Sequence, residues 1–258
     1  VQENDVRRFT DRVAVITGAA SGIGLASARD MAAEGARLAL IDRDAGALAE
    51  AAASLPADCP VISLVGHVGD EATVDEHVGV IASEWGRIDV LVTAAGFSNG
   101  TGVPDTSLDD WNAVIATNLT GTFLWCRAVL PLMQAQGAGA IVLVGSQLAF
   151  AGGRSNAAYL ASKGAIVSLA RSMAIDHAQD GIRVNVVVPG ATRTPMLERA
   201  FSRSGDREAA SEAARARHAL GRFGEAQEIA RAILFLASDD ASFTTGSCLM
   251  ADGGYLAM

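Results

Sequence analysis

"VAVITGAASGIG", residues 13–24, sets an apolar run of five against a turn rich in glycine. The run reads as a buried strand and the residues after the turn open a helix, so Thr17 to Gly24 form a TGxxxGxG pattern where strand becomes helix. Glycines at such a turn let the backbone approach a pyrophosphate, and the helix N-terminus offers unpaired N–H groups and partial positive charge to its oxygens. Gly18, Ser21, Gly22, Ile23 and Gly24 are therefore candidate phosphate-binding residues. Eighteen residues past Gly24, Asp42 closes a second apolar run, "RLALI" from 37. A carboxylate so placed hydrogen-bonds the adenosine ribose and repels a 2′-phosphate, which favours NAD over NADP, although the neighbouring Arg43 has the charge to attract a phosphate. Asp42 is also placed to N-cap the helix that follows it.

Outward from this unit the grammar repeats. "VISLV" at 61, "IDVLVT" at 88, "AIVLVG" at 140, "IRVNVVV" at 182 and "SCLMA" at 247 bring the candidate strands to seven. Most are near-continuous Val, Ile, Leu and Ala, as expected of strands covered on both faces by helices. Strand alternating with helix predicts a single α/β domain over 1–258, a doubly wound (Rossmann) fold whose seven-stranded, mostly parallel sheet is covered on both faces, with 1–10 as an N-terminal extension. A long helical stretch begins with a capping box at Ser107 and Asp110. The charged, partly helical segment 193–222 follows a strand and is expected to form a substrate loop or lid over the strand ends.

With 258 residues and a formal net charge of −9, the chain has core enough for one domain and no basic footprint for nucleic acid or an anionic membrane. Cys59, Cys126 and Cys248 are widely spaced, suggesting neither a disulfide framework nor a metal site. The N-terminal stretch is polar and no run of 18 apolar residues occurs, so the expectation is a soluble cytoplasmic protein acting on a small molecule. His77, His177 and His218 read as surface residues.

A second motif stands at 159–163, "YLASK". Tyr159 and Lys163 occupy i and i+4 of a predicted helix, hence one face, and Ser146 emerges at the carboxyl end of the fifth apolar run, on the same rim as the glycine turn. An ammonium beside a phenol favours phenolate and lowers its pKa, so the lysine is expected to make the tyrosine usable as a base.

Taken together, TGxxxGxG at 17–24, Asn118 in "NLTG", Ser146, the YxxxK at 159–163, "PG" at 189 with Thr194 after it, and "DGG" at 252 give the chain a clear resemblance to the short-chain dehydrogenase/reductase superfamily, in its roughly 250-residue form, over residues 12–256. The resemblance implies metal-free hydride transfer between nicotinamide and a secondary alcohol or ketone, and Asp42 makes NAD the expected cofactor. It implies that Tyr159 is the general acid/base, that Ser146 hydrogen-bonds the substrate oxygen, that Lys163 binds the nicotinamide ribose, and that Asn118 holds a proton-relay water. Pro189, Gly190, Thr192 and Thr194 would line the nicotinamide.

Two departures stand out. "TAAG", Thr93 to Gly96, replaces the family's "NNAG", so loop-tying amides are missing while Ala94, Ala95 and Gly96 keep close backbone approach to the cofactor. His67 replaces the usual aspartate near adenine, leaving one imidazole acceptor and the Val68 backbone. Ser98, Gln147, Phe150, Asn156 and Met196 are the candidate substrate contacts, and their polarity suggests a sugar, polyol or hydroxy-ketone. Arg154 and Arg193 lie beside the pocket and read as solvated loop residues. The alternatives are a 3-oxoacyl-(acyl-carrier-protein) reductase and a non-catalytic dinucleotide sensor. Ala158, Ala161, Ser162, Ala165 and Ser168 form a small-residue stripe, and the resemblance implies a homotetramer.

Overall fold

The structure, a computed structural model, describes residues 7–258. Seven parallel strands form one sheet in the order β3-β2-β1-β4-β5-β6-β9: β1 (Val13–Thr17), β2 (Arg37–Asp42), β3 (Val61–Val65), β4 (Val90–Thr93), β5 (Gly139–Val144), β6 (Ile182–Pro189) and β9 (Cys248–Ala251). All seven expected strands are present. A separate pair, β7 (Thr192–Arg193) with β8 (Gly224–Glu225), fastens the two ends of the segment that follows β6.

Among the described residues nine α-helices accompany the strands: α1 (Gly22–Ala33), α2 (Ala45–Ala53), α3 (Glu71–Trp85), α4 (Leu108–Ile115), α5 (Gly121–Gln136), α6 (Ala157–Asp176), α7 (Pro195–Ser202), α8 (Arg207–Ala216) and α9 (Ala226–Ala237). Alternate residues of each inner strand supply two cores. Val13, Val15, Leu91 and Ile141 face α3, α5 and α6, while Ala14, Ile16, Val92 and Val142 face α1 and α9. Period-two side chains buried on both faces explain why the strands read as continuous apolar runs. The edge strands are the exceptions, with Val61 and Val65 of β3 and Met250 of β9 exposed.

The sheet order reverses between β1 and β4, and in open α/β sheets the crevice outside such a switch point is where ligands bind. Asp44, not Asp42, caps α2, accepting from the Ala47 N–H at 3.0 Å. Ser107 caps α4 as expected, although Asp110 accepts from the Ser107 hydroxyl rather than reaching its backbone. One π-helical turn, Ala116–Thr120, joins α4 to α5 into a continuous stretch from 108 to 136 that is long and apolar enough to cross a membrane. It packs here as a core helix, burying Val114, Leu124, Trp125, Val129 and Met133.

Of the expected N-terminal extension, residues 1–6 lie outside the described residues, whereas Phe9 is fully buried and Arg8 pairs with Glu34, so the chain joins the fold earlier than its polar sequence suggests. The histidines also depart from the surface reading. His77 is buried against Trp125, where burial lowers its pKa, and His218 is buried beside Tyr255. His177 is half-buried and bonds Asp180 at 3.0 Å.

Candidate active site

Along the carboxyl ends of the strands runs a cleft of about 1680 Å³. Sites for a single drug-sized ligand hold roughly 300–1,000 Å³, so this one has room for a large cofactor and a small substrate side by side.

Its first wall is the glycine turn. A Cβ on Gly18 would lie 2.7 Å from the backbone of Ala95, and one on Gly24 would lie 2.2 Å from the Gly18 carbonyl oxygen, so the turn folds tightly upon itself and upon the "TAAG" loop. Thr17 Oγ1 accepts from the Ala95 N–H at 3.2 Å, tying the two loops without the missing amides. The side chain of Ser21 makes no capping bond, which leaves the first-turn N–H groups of α1 directed at the cleft for an anion. Gly18, Ser21, Gly22, Ile23 and Gly24 all line this wall, and the cradle fits a pyrophosphate.

At the adenosine end Asp42, Arg43, His67 and Val68 line the cleft. The Asp42 carboxylate accepts from the N–H groups of Ala20 and Asp44, both at 3.2 Å, and so is oriented by backbone on each side. His67 differs from expectation. Its Nδ1 accepts from the Gly69 N–H at 3.1 Å and its Nε2 meets Thr117 Oγ1 at 3.2 Å, so neither nitrogen remains to accept from adenine, and only the Val68 backbone does.

At the other end the polar groups converge. Ser146 follows β5, is buried, and accepts from the Leu148 N–H at 3.1 Å. Tyr159, in the first turn of α6, hydrogen-bonds Ser146; burial raises its pKa above that of an ordinary phenol and this bond pulls the other way. Buried Lys163 donates to the Val144 carbonyl at 2.7 Å, and burial lowers its pKa to about 8. The ammonium lies 5.7 Å from the Tyr159 ring centroid, directed at β5 rather than at the phenol oxygen. The expected lowering of the tyrosine pKa by the lysine is not seen: the ammonium is directed at the Val144 carbonyl, and burial, opposed by the Ser146 bond, raises the phenol.

Asn118 is wholly buried behind the cleft. Its Oδ1 accepts from the Phe97 N–H at 3.0 Å, and its Nδ2 donates to the Phe97 carbonyl at 3.0 Å and to Ser162 Oγ at 3.1 Å. The side chain is therefore committed to joining the loop after β4 to α6, supplying the tie that "TAAG" lacks. Its carbonyl accepts from Thr122 Oγ1 at 2.8 Å within the π turn, a helical irregularity common at functional sites.

Ala94, Ala95, Gly96, Pro189, Gly190, Thr192 and Thr194 line the cleft as expected. A Cβ on Gly190 would meet Asp252 backbone at 2.8 Å, which explains the pairing of "PG" with "DGG". Sequence reasoning missed His218. Its Nε2 accepts from the Ala191 N–H at 3.1 Å and its Nδ1 meets the Ala214 carbonyl at 2.9 Å, latching the segment after α8 to the loop that follows β6. No local pattern signals this, because the partners are brought together only by the fold.

Among the candidate substrate contacts, Ser98, Gln147, Asn156 and Met196 line the cleft and Phe150 does not; it is a 41% exposed surface side chain. Gln147 is buried and its Oε1 lacks a partner, an acceptor available to a ligand hydroxyl. Ser98 donates to Asn156 Oδ1, and Asn156 Nδ2 donates to the Arg154 carbonyl at 3.0 Å, so these two are spent largely on one another and on their loop. Arg154 lines the cleft, whereas Arg193 pairs with Glu225 at 3.0 Å. Of the small-residue stripe, Ala158 and Ser162 are buried within this chain, while Ala161 and Ser168 are exposed.

Fold and cleft together define a Rossmann-type protein with a cleft fitted to a dinucleotide. Comparison with known proteins places it further. A family model described as enoyl-(acyl carrier protein) reductase matches residues 18–256. The chain is 39% identical over 253 residues to 2-(R)-hydroxypropyl-CoM dehydrogenase of Xanthobacter autotrophicus, covering 96% of this chain and 99% of that protein. It is 39% identical over 249 residues to D-threitol dehydrogenase of Mycolicibacterium smegmatis, covering 96% and 94%. The crystal structure of levodione reductase matches with a TM-score of 0.94 at 36% identity, covering 97% and 99%. The chain belongs to the short-chain dehydrogenase/reductase family, and is an oxidoreductase that uses a nicotinamide dinucleotide.

Proposed function

We propose that the protein is an NAD(H)-dependent dehydrogenase that interconverts a small, polar secondary alcohol and its ketone. The observation that carries this reading is the convergence of Ser146, Tyr159 and Lys163 at the carboxyl end of β5, beside a glycine cradle fitted to pyrophosphate. Nicotinamide, when bound, supplies the hydride acceptor or donor. The protein's residues do the rest. Tyr159 Oη takes the alcohol proton in oxidation and returns it in reduction, and Ser146 holds the substrate oxygen as its charge changes in a largely dry site. Lys163 braces the helix of Tyr159 and contacts the cofactor ribose, and Asn118 keeps the neighbouring loop and helix in register.

Asp42 supports NAD over NADP, since its oriented carboxylate stands where a 2′-phosphate would bring like charge. Gln147, with its unpartnered Oε1, supports a second hydroxyl or other donor on the substrate, as does the likeness to a dehydrogenase of threitol. The segment around α7 and α8, which lines the outer cleft, serves as the substrate loop. Assembly into a homotetramer is part of the proposal, with the exposed Ala161 and Ser168 suited to close helix packing.

A carrier-bound acyl substrate is the second reading, favoured by the description of the matching family model. Initial rates over sugars, polyols, cyclic and aliphatic secondary alcohols and an acetoacetyl thioester, with NAD and NADP in parallel, separate the two. NAD-linked oxidation that disappears in Tyr159→Phe upholds the first reading. NADP-linked reduction of the thioester alone upholds the second, and NAD binding without any turnover would make the protein a sensor.

A further inference from the structure

The carboxylates of the cleft stand apart from most of its arginines, Arg43 excepted. Its only lining carboxylates among the described residues, Asp42 and Asp44, stand at the adenosine end. The opposite wall, built from the loop after β5 and from α7 and α8, contributes Arg154, Arg199, Arg203 and Arg217, in a chain whose formal net charge is −9.

Nearby acids do not neutralise these arginines. Glu198 pairs with Arg207, Glu212 with Arg215, Glu225 with Arg193 and Glu228 with Arg222, and none of those four arginines lines the cleft. Arg217 lies over the Tyr255 ring and donates to its hydroxyl. Arg154, Arg199 and Arg203 form no ion pair among the described residues.

Two of the three are also positioned by their surroundings. Arg154 precedes Ser155, whose φ of 52° is in the left-handed region, and its carbonyl is held by Asn156, itself bonded to Ser98 across the cleft. A non-glycine residue held in that region costs energy that the surrounding bonds must offset. The Arg203 guanidinium lies against Gly100 on the facing loop, where a Cβ would come within 2.6 Å of Nε. Gly100, at φ 75°, thus makes room for an arginine that reaches from the end of α7 to the other rim.

We propose that the substrate carries an oxyanion, a carboxylate, phosphate or sulfonate set apart from its carbinol carbon, and that Arg154, Arg199 and Arg203 bind it at the mouth of the cleft. This rests on the dehydrogenase reading of the same site and adds the substrate's charge to it. Guanidinium forks suit these planar or tetrahedral oxyanions, and charge-assisted bonds to them are among the stronger polar contacts.

The test uses matched pairs: 3-hydroxybutyrate, 4-hydroxypentanoate and 5-hydroxyhexanoate, each beside its carboxamide, together with 4-hydroxypentyl phosphate and 4-hydroxypentane-1-sulfonate. At one chain length or more, kcat/KM for an anion is expected to exceed that for the carboxamide by at least about tenfold, the worth of one good charged contact. The phosphate and sulfonate arms show which oxyanion is preferred. In the combined variant Arg154→Gln, Arg199→Gln, Arg203→Gln this ratio is expected to fall to about two or less, and Gly100→Ala, which crowds Arg203, to lower it in part. Equal use of anion and carboxamide at every length, or equal loss of both in the variants, would overturn the proposal. So would loss of NADH affinity in the combined variant, which would assign the arginines to the cofactor. If no pair is oxidised, calorimetry of the carboxylates, the phosphate and the sulfonate on the enzyme–NADH complex decides. Binding that the combined variant abolishes upholds the arginine site and overturns the assigned reaction, and absence of binding by all of them overturns the arginine site.

Discussion

Lys163 Nζ donates to the Val144 carbonyl oxygen at 2.7 Å, so the lysine pins the helix that carries Tyr159 to the strand that runs into Ser146. Burial lowers the pKa of this ammonium from 10.5 to about 8. Between those values the unfolded chain holds a proton that the folded protein has released, and stability conferred through Lys163 rises with pH across the window. It is fully present above about 10.5 and lost as pH falls through about 8. Urea unfolding of wild type and Lys163→Met from pH 7 to pH 10 is expected to show the wild type gaining on the order of 2–3 kcal/mol relative to the variant. A difference that stays flat would mean that the ammonium is hydrated.

Tyr159→Phe keeps the ring and deletes the oxygen. Turnover is expected to fall by about 10²–10⁴-fold, the usual worth of a positioned acid/base, while NAD binding by calorimetry stays within about twofold. Residual activity near the wild-type value would remove Tyr159 from the chemistry.

Replacing Asp42 with Ser removes the charge that opposes a 2′-phosphate and leaves Arg43 beside it. The ratio of NADP to NAD affinity, measured by calorimetry, is expected to rise by at least about tenfold, chiefly through tighter NADP binding. An unchanged ratio would show that the ribose end does not select the cofactor.

His218→Phe preserves the packing on Tyr255 and deletes both ring hydrogen bonds, leaving the Ala191 N–H without its acceptor. A loss of about 1–3 kcal/mol in stability is expected, with weaker NAD binding because Ala191 adjoins Pro189 and Gly190. Thermal unfolding and calorimetry on the same preparation read both effects, and an unaltered NAD affinity would confine His218 to a structural role.

The sequence by itself determined the seven strands, their parallel arrangement, the glycine cradle and the chain positions of Asp42, Ser146, Tyr159 and Lys163. These are written in short-range patterns: a run of apolar residues, a glycine where a Cβ would strike backbone, an i, i+4 spacing on one helix. Only the tertiary structure decided how those groups are employed. Asn118 spends its amide on Phe97 and Ser162, 21 and 44 residues away, and His67 gives both nitrogens to its own surroundings rather than to adenine. His218 is buried on a partner 27 residues distant, Phe150 turns out to solvent, and Arg154 faces the cleft while Arg193 is neutralised by Glu225. A polar side chain's role depends on which donors, acceptors and charges reach it in the folded chain. Those partners come from strands and loops far apart in sequence, so no local pattern encodes them.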